Sequence, residues 1–251
     1  MSVLKSFFTF GGVSSKDLSL TIEEKDILNG AEADVNEYEI PGRDGVVFES
    51  NGRYRNVEIT YDTYLKVSEK EDLARFTGDI KRWLLSRPGE YRRLEDTYDP
   101  DHYRMAAVVG PLEIEESGER FTRQSITFTC KPFRYRKAGE MKIPIGNGIT
   151  LQNDTGFDAL PLFEITMKNS GTVTIFVESE SGARYEETIT AKSASRITVD
   201  SEIGEAEQSR TEAVLFFTLD NFPRLLPGKN TITVTGANVA SAQITPRWRE
   251  L

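Results

Sequence analysis

The residues with the clearest capacity for chemistry surround His102, the only histidine of the chain. It lies between Asp101 and Tyr103, and Asp99 precedes it by three residues. An imidazole beside carboxylates could act as a general acid or base, and the two aspartates have a spacing that suits a metal ion. A turn fixed by Pro100, with both aspartates accepting hydrogen bonds from nearby backbone N–H groups, explains the same residues. We favour the turn.

Other catalytic or cofactor-binding patterns are missing from the sequence. It has one cysteine and one histidine, no glycine-rich phosphate loop and no dinucleotide fingerprint. The acidic pairs Glu115-Glu116 and Glu186-Glu187 could supply the two carboxylates of a glycoside hydrolase, but acidic residues are common at strand ends. We therefore predict that the chain is not an enzyme and that it uses no cofactor and no metal.

A second kind of chemistry is the stacking of an aromatic ring on a sugar. Tyr185 and Trp248 are the candidates, and with them the second half of the chain could be a carbohydrate-binding module for host cell-surface glycans. The alternative is that Trp248, which follows Ile244 near the C-terminus, closes a hydrophobic core.

The charge of the chain argues against nucleic-acid binding. The formal net charge is −9, whereas tight binding to a phosphate backbone needs a basic surface. A mildly acidic surface would repel DNA that slides past it, although ordinary solubility explains the same composition. The single cysteine, Cys130, excludes an intrachain disulfide and alternates with Ile126 and Phe128, so we expect a buried, unreactive thiol.

No segment approaches the roughly 20 apolar residues that a membrane-spanning helix requires, and the N-terminus lacks the pattern of a secretory signal. We therefore expect no membrane association.

The elements that must position these residues are mostly strands. Residues 4–10 and 18–22 have strand patterns, and residues 29–37 are polar and suit a loop or an exposed arm. A hairpin is predicted for 103–115 and 120–133, with Pro132 ending its second strand. One helix is predicted over the amphipathic stretch Glu69–Leu85, with Ser68 and Glu71 at capping-box spacing at its start and Pro88-Gly89 ending it. Its apolar stripe consists of Leu73, Phe76, Ile80, Trp83 and Leu84. We interpret this stripe as part of a hydrophobic core, with an inter-subunit contact as the alternative.

The second half shows short strands separated by turn residues at intervals of about ten residues, which is typical of a sandwich or jelly roll. The charged stretch 134–140 suits a domain boundary. The predicted fold is therefore mainly β. Residues 1–138 form a β-sandwich-like domain with one α-helix, and residues 139–251 form a galectin-like or jelly-roll β-sandwich.

Five short segments of the first half resemble, in order, the N-terminal domain of the phage distal tail protein (Dit) family. The family pattern is a Phe-rich strand ending in Gly, a Pro-Gly-Arg-Asp-Gly turn, a helix ending in Trp-Leu, Asp-Pro-Asp-x-Tyr-x-x-Ala, and Phe-x-Cys-x-Pro-Phe. The matching segments are Phe7–Gly12, Pro41–Gly45, Trp83-Leu84, Asp99–Ala106 and Phe128–Phe133. Each segment alone is common, whereas five in order are specific.

The resemblance implies a structural subunit of the virion tail tip, or baseplate, of a siphophage or prophage. In that family the N-terminal domains close into a hexameric ring. The ring joins the tail tube protein to the tail-tip or tail-fibre-associated protein and lets DNA pass through its lumen without specific binding. The C-terminal domain would project outward.

A closed ring requires head-to-tail contacts between its subunits. The arm at 29–37 and the turn at 41–45 are the expected contact elements, with Asp34, Glu37, Arg43 and Asp44 as candidate inter-subunit residues. Pairing of Arg43 with Asp44 inside the turn is an equally good explanation of those two residues.

Overall fold

The strands that the sequence predicts in the first half assemble around one long central strand in a computed structural model of the chain. The structure describes residues 6–209, 214–219 and 221–251, so the start of the strand predicted at residue 4 lies outside the described part. Contacts group residues 1–134 and Leu251 into one unit and residues 135–250 into a second. This grouping falls close to the boundary predicted at 138/139, which stays a prediction.

The described part of the first unit contains ten strands and one α-helix. One short 3₁₀ segment, 15–18, lies within this series, and another, 137–140, follows it. In chain order the elements are β1 (Phe8–Phe10), β2 (Val13–Ser14), β3 (Leu20–Asp26), β4 (Ala33–Glu39), β5 (Val46–Tyr54), β6 (Val57–Lys66), α1 (Glu71–Leu85), β7 (Arg92–Asp96), β8 (His102–Ala107), β9 (Ile114–Glu116) and β10 (Phe121–Arg136).

Most of these strands form one sheet in the order β2-β1-β7-β8-β10-β6-β3, and β9 pairs with β10 as well. The pairing of β6 with β10 is antiparallel and runs without a break from Phe121 opposite Lys66 to Cys130 opposite Val57. The strands β4 and β5 stand apart from this sheet as a separate antiparallel pair.

The core of the first unit is aromatic. The rings of Phe8 and Tyr61 stack at 4.6 Å between centroids, and those of Phe10 and Phe128 lie 4.9 Å apart. Trp83 of α1 joins this cluster, and its indole N–H donates to the carbonyl oxygen of Phe10 at 2.9 Å. Burial of these large rings, with the polar atoms of Tyr61 and Trp83 both hydrogen-bonded, ties the helix to the sheet.

The helix packs as its stripe predicts, but it begins differently. Ile80, Trp83 and Leu84 are buried, and Leu73 and Phe76 pack partly buried against the same core. The predicted capping box at Ser68 is wrong. The helix starts at Glu71, Lys70 occupies the N-cap position without a side-chain bond, and backbone bonds such as Leu73 N–H to the Lys70 carbonyl close the first turn. The helix ends at Leu85, before Pro88.

The predicted hairpin after the helix is confirmed in its turn and wrong in two details. Its first strand is split into β8 and β9, and its second strand runs through Pro132 to Arg136. Proline is tolerated there because the ladder with β6 already ends at Cys130, so no partner on β6 needs the missing N–H. Cys130 is fully buried, and burial raises the pKa of its thiol to about 12, as expected for an unreactive thiol.

The second unit is composed of strands, and the described part of it contains no α-helix. Its elements are β11 (Ile143–Pro144), β12 (Ile149–Asn153), β13 (Leu162–Met167), β14 (Gly171–Ser179), β15 (Arg184–Ala191), β16 (Ser195–Asp200), β17 (Glu205–Ser209), β18 (Val214–Phe217), β19 (Gly228–Thr235), β20 (Val239–Thr245) and β21 (Arg249–Glu250).

Two sheets enclose the core of this unit. One has six strands in the order β11-β20-β13-β16-β17-β18, and the other has four in the order β12-β19-β14-β15. Phe163 and Ile197 from the larger sheet meet Ile175 and Ile232 from the smaller sheet, and all four are fully buried. The predicted mainly β class, with one α-helix in the first half and a β-sandwich in the second, is confirmed.

Of the helices in the described ranges, none has the length and apolar character needed to cross a bilayer.

Candidate functional site

The hairpin of β4 and β5 is the most exposed regular element of the first unit. Its register places Ala33 opposite Tyr54 and Glu37 opposite Phe48. A two-stranded sheet alone is marginally stable in water, so its geometry must be held by local bonds. The residues predicted as an arm at 29–37 are thus partly a strand, and the arm continues to Tyr54.

Asp34 secures the base of this hairpin. Its carboxylate accepts a hydrogen bond from Nε of Arg53 at 2.5 Å and from Nη2 of Arg55 at 3.2 Å. These two guanidinium groups lower the pKa of Asp34 and keep it ionised at neutral pH. Asn36 and Asn51 add a paired amide contact across the strands. The base of the arm is therefore fixed by polar bonds within the chain.

The turn at the tip has the predicted backbone chemistry. Gly42 and Gly45 adopt φ of 77° and 82°, a region that other residues enter at a cost. The N–H of Arg43 donates to the carbonyl oxygen of Ile40 at 3.1 Å, which closes the reversal. The side chains of Arg43 and Asp44 both lie exposed at this tip.

Apolar side chains cover the hairpin, although no core lies beneath them. Phe48 is 60% exposed, and the other large apolar residues that the hairpin leaves exposed are Tyr38, Ile40, Val46 and Val47. Because side chains alternate along a strand, Phe48 shares a face with Val46 and, across the ladder, with Glu37 and Glu39. An exposed apolar patch with charged neighbours is typical of a contact surface.

The four predicted contact residues lie on this hairpin but in different settings. Glu37 is exposed on the face of Phe48, and Arg43 and Asp44 are exposed at the tip. Asp34 is only 7% exposed and is bound within the hairpin, so the structure gives it a part in holding the arm. Their contact with another subunit stays a prediction.

The residues around His102 form a half-buried turn network. Asp99 binds Nδ1 of His102 at 2.6 Å and Nη1 of Arg134 at 3.0 Å. Just before it, Asp96 accepts the backbone N–H groups of Tyr98 and Asp99.

The hydroxyl of Tyr61 also donates to Asp96, at 2.5 Å, and burial together with the Asp96 charge raises the pKa of Tyr61. Within the described ranges, no group of three or more histidine, cysteine and acidic side chains is placed to hold a metal ion. The network is the turn that the sequence favours, and it fixes the start of β8.

The two predicted sugar-stacking residues lie in the second unit, where both pack partly buried against the core. The hydroxyl of Tyr185 lies 3.4 Å from the Asn221 carbonyl oxygen, and burial raises the pKa of this tyrosine. Tyr185 also lines a shallow cavity of about 260 Å³ together with Phe222, Asn221, Arg184 and Arg224. The ring of Trp248 packs near Gly139, as the core alternative predicts.

Sequence reasoning missed two features. The run Val46-Val47-Phe48 follows a turn in an otherwise polar arm, and its exposed ladder position could have been inferred from that contrast. Arg104 lines a cavity of about 420 Å³ beside the Asp99 turn. Residues of five strands, β3, β6, β7, β8 and β10, line the cavity, and because these strands are spread over the first unit, no local pattern could have revealed it.

Comparison with known proteins places these features in a class. Residues 15–130 match the family described as the phage tail protein RIFT-related domain. This segment includes the hairpin, the helix and the Asp99 turn. The matched segment covers most of the first unit, which is therefore similar to this phage tail protein domain.

Similarity to solved structures extends over the whole chain. The Dit protein of phage SPP1, described as a paradigm of the hub adsorption apparatus in phages that infect Gram-positive bacteria, matches with a TM-score of 0.70 and 14% identity over 98% of both chains. A chain of the phage p2 baseplate in its activated conformation with Sr matches with a TM-score of 0.58 and 12% identity over 96% of both.

A chain of the same baseplate in the activated conformation with Ca gives a TM-score of 0.59 and 10% identity over 99% of both. No curated protein matches the chain. The tail-protein domain and the shared fold together confirm the resemblance to the distal tail protein family that the five motifs predict.

Proposed function

We propose that this chain is a ring-forming structural subunit of a siphophage tail tip. Its first unit closes into a head-to-tail ring, hexameric by analogy with the family, and the β4–β5 hairpin forms the contact. The observation that carries the proposal is a hairpin with a polar, internally bonded base and an apolar, exposed surface. The ring joins the tail tube protein to the tip or receptor-binding proteins.

The physical reason lies in what the hairpin leaves exposed. Burial of apolar surface stabilises a complex by about 25 cal/mol per Å² removed from water. Phe48 is exposed in the single subunit, so its ring would provide this stabilisation only when another subunit covers it. Contacts that repeat head to tail close when their rotation closes, so one arm and one receiving surface per subunit suffice for a ring. Glu37, Arg43 and Asp44 at the margin of the patch would set its register.

The acidic balance of the chain suits a channel for DNA. A net charge of −9 disfavours binding to the phosphate backbone, so DNA in the lumen would slide without being held. The tail-tip location and the non-enzymatic role agree with the Dit and baseplate structures that share the fold.

The proposal is tested by measuring the mass of the purified protein by light scattering across a concentration series. Negative-stain images are taken of the same samples. We expect a closed ring with a central hole at high concentration, and six subunits in it. A species that stays monomeric throughout the series would contradict self-assembly through the hairpin.

A second role, in glycan binding, is favoured by the cavity beside Tyr185. Two aromatic rings and four polar side chains, those of Ser179, Arg184, Asn221 and Arg224, surround it, a combination that suits a sugar ring and its hydroxyl groups. On this proposal Tyr185→Ala abolishes binding to a host-surface glycan in an array, and Trp248→Phe, outside the cavity, leaves it unchanged. Equal binding by wild type and Tyr185→Ala would exclude this site.

A further inference from the structure

The cavity beside the Asp99 turn is lined by an arginine, Arg104, whose guanidinium has no hydrogen-bond or ion-pair partner among the described residues. Arg104, on β8, is half-buried and lines this space of about 420 Å³. Among the residues that the structure describes, none forms a hydrogen bond or an ion pair with its guanidinium. Burial lowers the pKa of Arg104, yet an arginine stays protonated in proteins, so the cavity keeps a cation.

The carboxylates around the cavity form their hydrogen bonds and ion pairs with other groups, and Asp99 acts on this cation only through its charge, which raises the pKa of Arg104 against the larger effect of burial. Asp99 is bound by His102 and Arg134, and Asp96 by Tyr61 and two backbone N–H groups. Glu95 pairs with Arg93. A partly desolvated charge without a direct partner is costly, and such a charge at the wall of an open cavity favours an external anion.

Apolar and aromatic side chains form part of the cavity lining, and the ammonium group of Lys25 lines the cavity as well. Leu28 is 91% exposed there, and Ile27 and Tyr98 lie beside it. A ligand that fits must therefore carry an anionic head for Arg104 and an apolar stem for the rim. A glutamate side chain has this form: a carboxylate that arginine can bind through two N–H groups, on a short chain of methylenes.

We propose that this cavity is a carboxylate-binding site and that its occupant is a glutamate side chain from the hairpin of a second copy of this chain. The assignment rests on the ring proposed above. Glu37 and Glu39 are exposed on one hairpin face, and neither forms a hydrogen bond or an ion pair in the described part of its own chain. Phe48 and Val46 on the same face match the apolar rim. Each subunit would thus offer the hairpin to one neighbour and the cavity to the other.

The test compares the self-association constants of four forms by sedimentation equilibrium: wild type, Arg104→Met, Glu37→Gln/Glu39→Gln, and all three changes together. Methionine keeps the apolar stem of Arg104 and removes its charge. We expect each of the first two variants to weaken association at least about tenfold, and the combined variant to lose little more, because the two changes remove one interaction. Arg75→Met, an exposed pair with Asp72 on α1, is the control and should associate like wild type.

Thermal unfolding of monomeric Arg104→Met separates binding from folding. Arg104 forms no hydrogen bond or ion pair within the described part of its own chain, so its loss should not destabilise the fold. The thermal midpoint of Arg104→Met should therefore equal or exceed that of wild type. A lowered midpoint would mean that Arg104 has a structural role and would overturn the assignment.

The remaining outcomes separate this inference from the proposed ring. If wild type and Arg104→Met have equal self-association constants, the cavity assignment is wrong, but the proposed ring is not contradicted. A wild-type protein that never associates overturns both. Unchanged association in Arg104→Met, combined with a glutarate-induced rise in the midpoint of wild type alone, would make the occupant a free carboxylate and exclude the second copy.

Discussion

Two hairpins of this molecule are similar in length and opposite in setting. In the second unit, β14 and β15 lie in a four-stranded sheet, and Val173, Ile175 and Val177 of β14 turn a continuous apolar face into the core. In the first unit, β4 and β5 pair with no other strand among the described residues, and Phe48 is 60% exposed. The same alternation that builds a core in one hairpin leaves apolar residues facing solvent in the other.

The difference shows how a fold separates stability from assembly. The apolar face of β14 contributes to folding of the single chain, whereas the β4–β5 face can contribute only when another molecule covers it. In the single chain, the hydrogen bonds from Arg53 and Arg55 to Asp34 hold the two strands of the arm together. A hairpin with hydrogen bonds at its base and apolar residues on its surface is preorganised for binding, so less conformational entropy is lost when a partner binds.

The largest expected effect comes from truncating the core of the first unit. Phe128→Ala removes a fully buried ring that contacts Phe8 and Phe10, and should lower the free energy of unfolding by about 3–5 kcal/mol. Denaturant unfolding measures this change. Phe48→Ala, an equal truncation on the hairpin, should change it by less than about 0.5 kcal/mol. Similar losses in both variants would contradict the distinction between core and arm.

The second effect concerns association. Phe48→Ala should weaken self-association by about 2 kcal/mol, or roughly 30-fold, because an aromatic residue at the centre of an interface carries a large share of its energy. Light scattering across a concentration series measures it. The matched control is Phe216→Ala, which removes a ring that is 69% exposed in the second unit and should leave the mass unchanged.

A smaller effect is expected for an ion pair in the second unit. Asp200 accepts two bonds from Arg247, at 2.6 and 2.8 Å. Burial alone would raise the pKa of Asp200, but the guanidinium and two backbone N–H groups outweigh burial and lower it. We expect Asp200→Asn to reduce the free energy of unfolding at pH 7 by about 1–3 kcal/mol.

The pH dependence of this pair follows from the direction of the pKa shift. The stabilisation is present above the unfolded-state pKa of about 3.9 and is lost as the pH falls through the lower folded-state pKa. The thermal midpoint of wild type should therefore fall more steeply below about pH 4 than that of Asp200→Asn. Parallel curves for the two proteins would show that the pair does not contribute.

The smallest effect belongs to the base of the arm. Asp34→Asn removes the charge that binds Arg53 and Arg55 and should speed hydrogen exchange of the β4–β5 amides, with no measurable change in the thermal midpoint of the protein. Asp44→Asn at the exposed tip serves as the control. If the β4–β5 amides exchange faster by the same factor in both variants, Asp34 does not fix the arm.

Local sequence patterns predicted those parts of the molecule that depend on short spacing. The stripe from Leu73 to Leu84 predicted the helix and its buried face, and the Gly42 and Gly45 positions predicted a tight reversal. The start of the helix was wrong because Ser68 lies outside the first turn, where backbone bonds from Asp72 and Leu73 replace the side-chain cap.

The candidate site was predictable only in part. The arm and three of its exposed charged residues came from a polar stretch and a family resemblance. The burial of Asp34 depends on Arg53 of the paired strand and on Arg55 just after it, both about twenty residues away. Arg104 lines its cavity because residues of β3, β6, β7, β8 and β10 come together there, and such long-range assembly leaves no local signal in the sequence.

Hydrogen exchange of the wild-type protein, measured above and below the concentration at which it associates, tests the central claim most directly. If the β4–β5 hairpin is the contact surface, amides of residues 33–54 gain protection on association, while those of β14 and β15 keep the same rates. Association without added protection at 33–54, or protection confined to the second unit, would contradict the account.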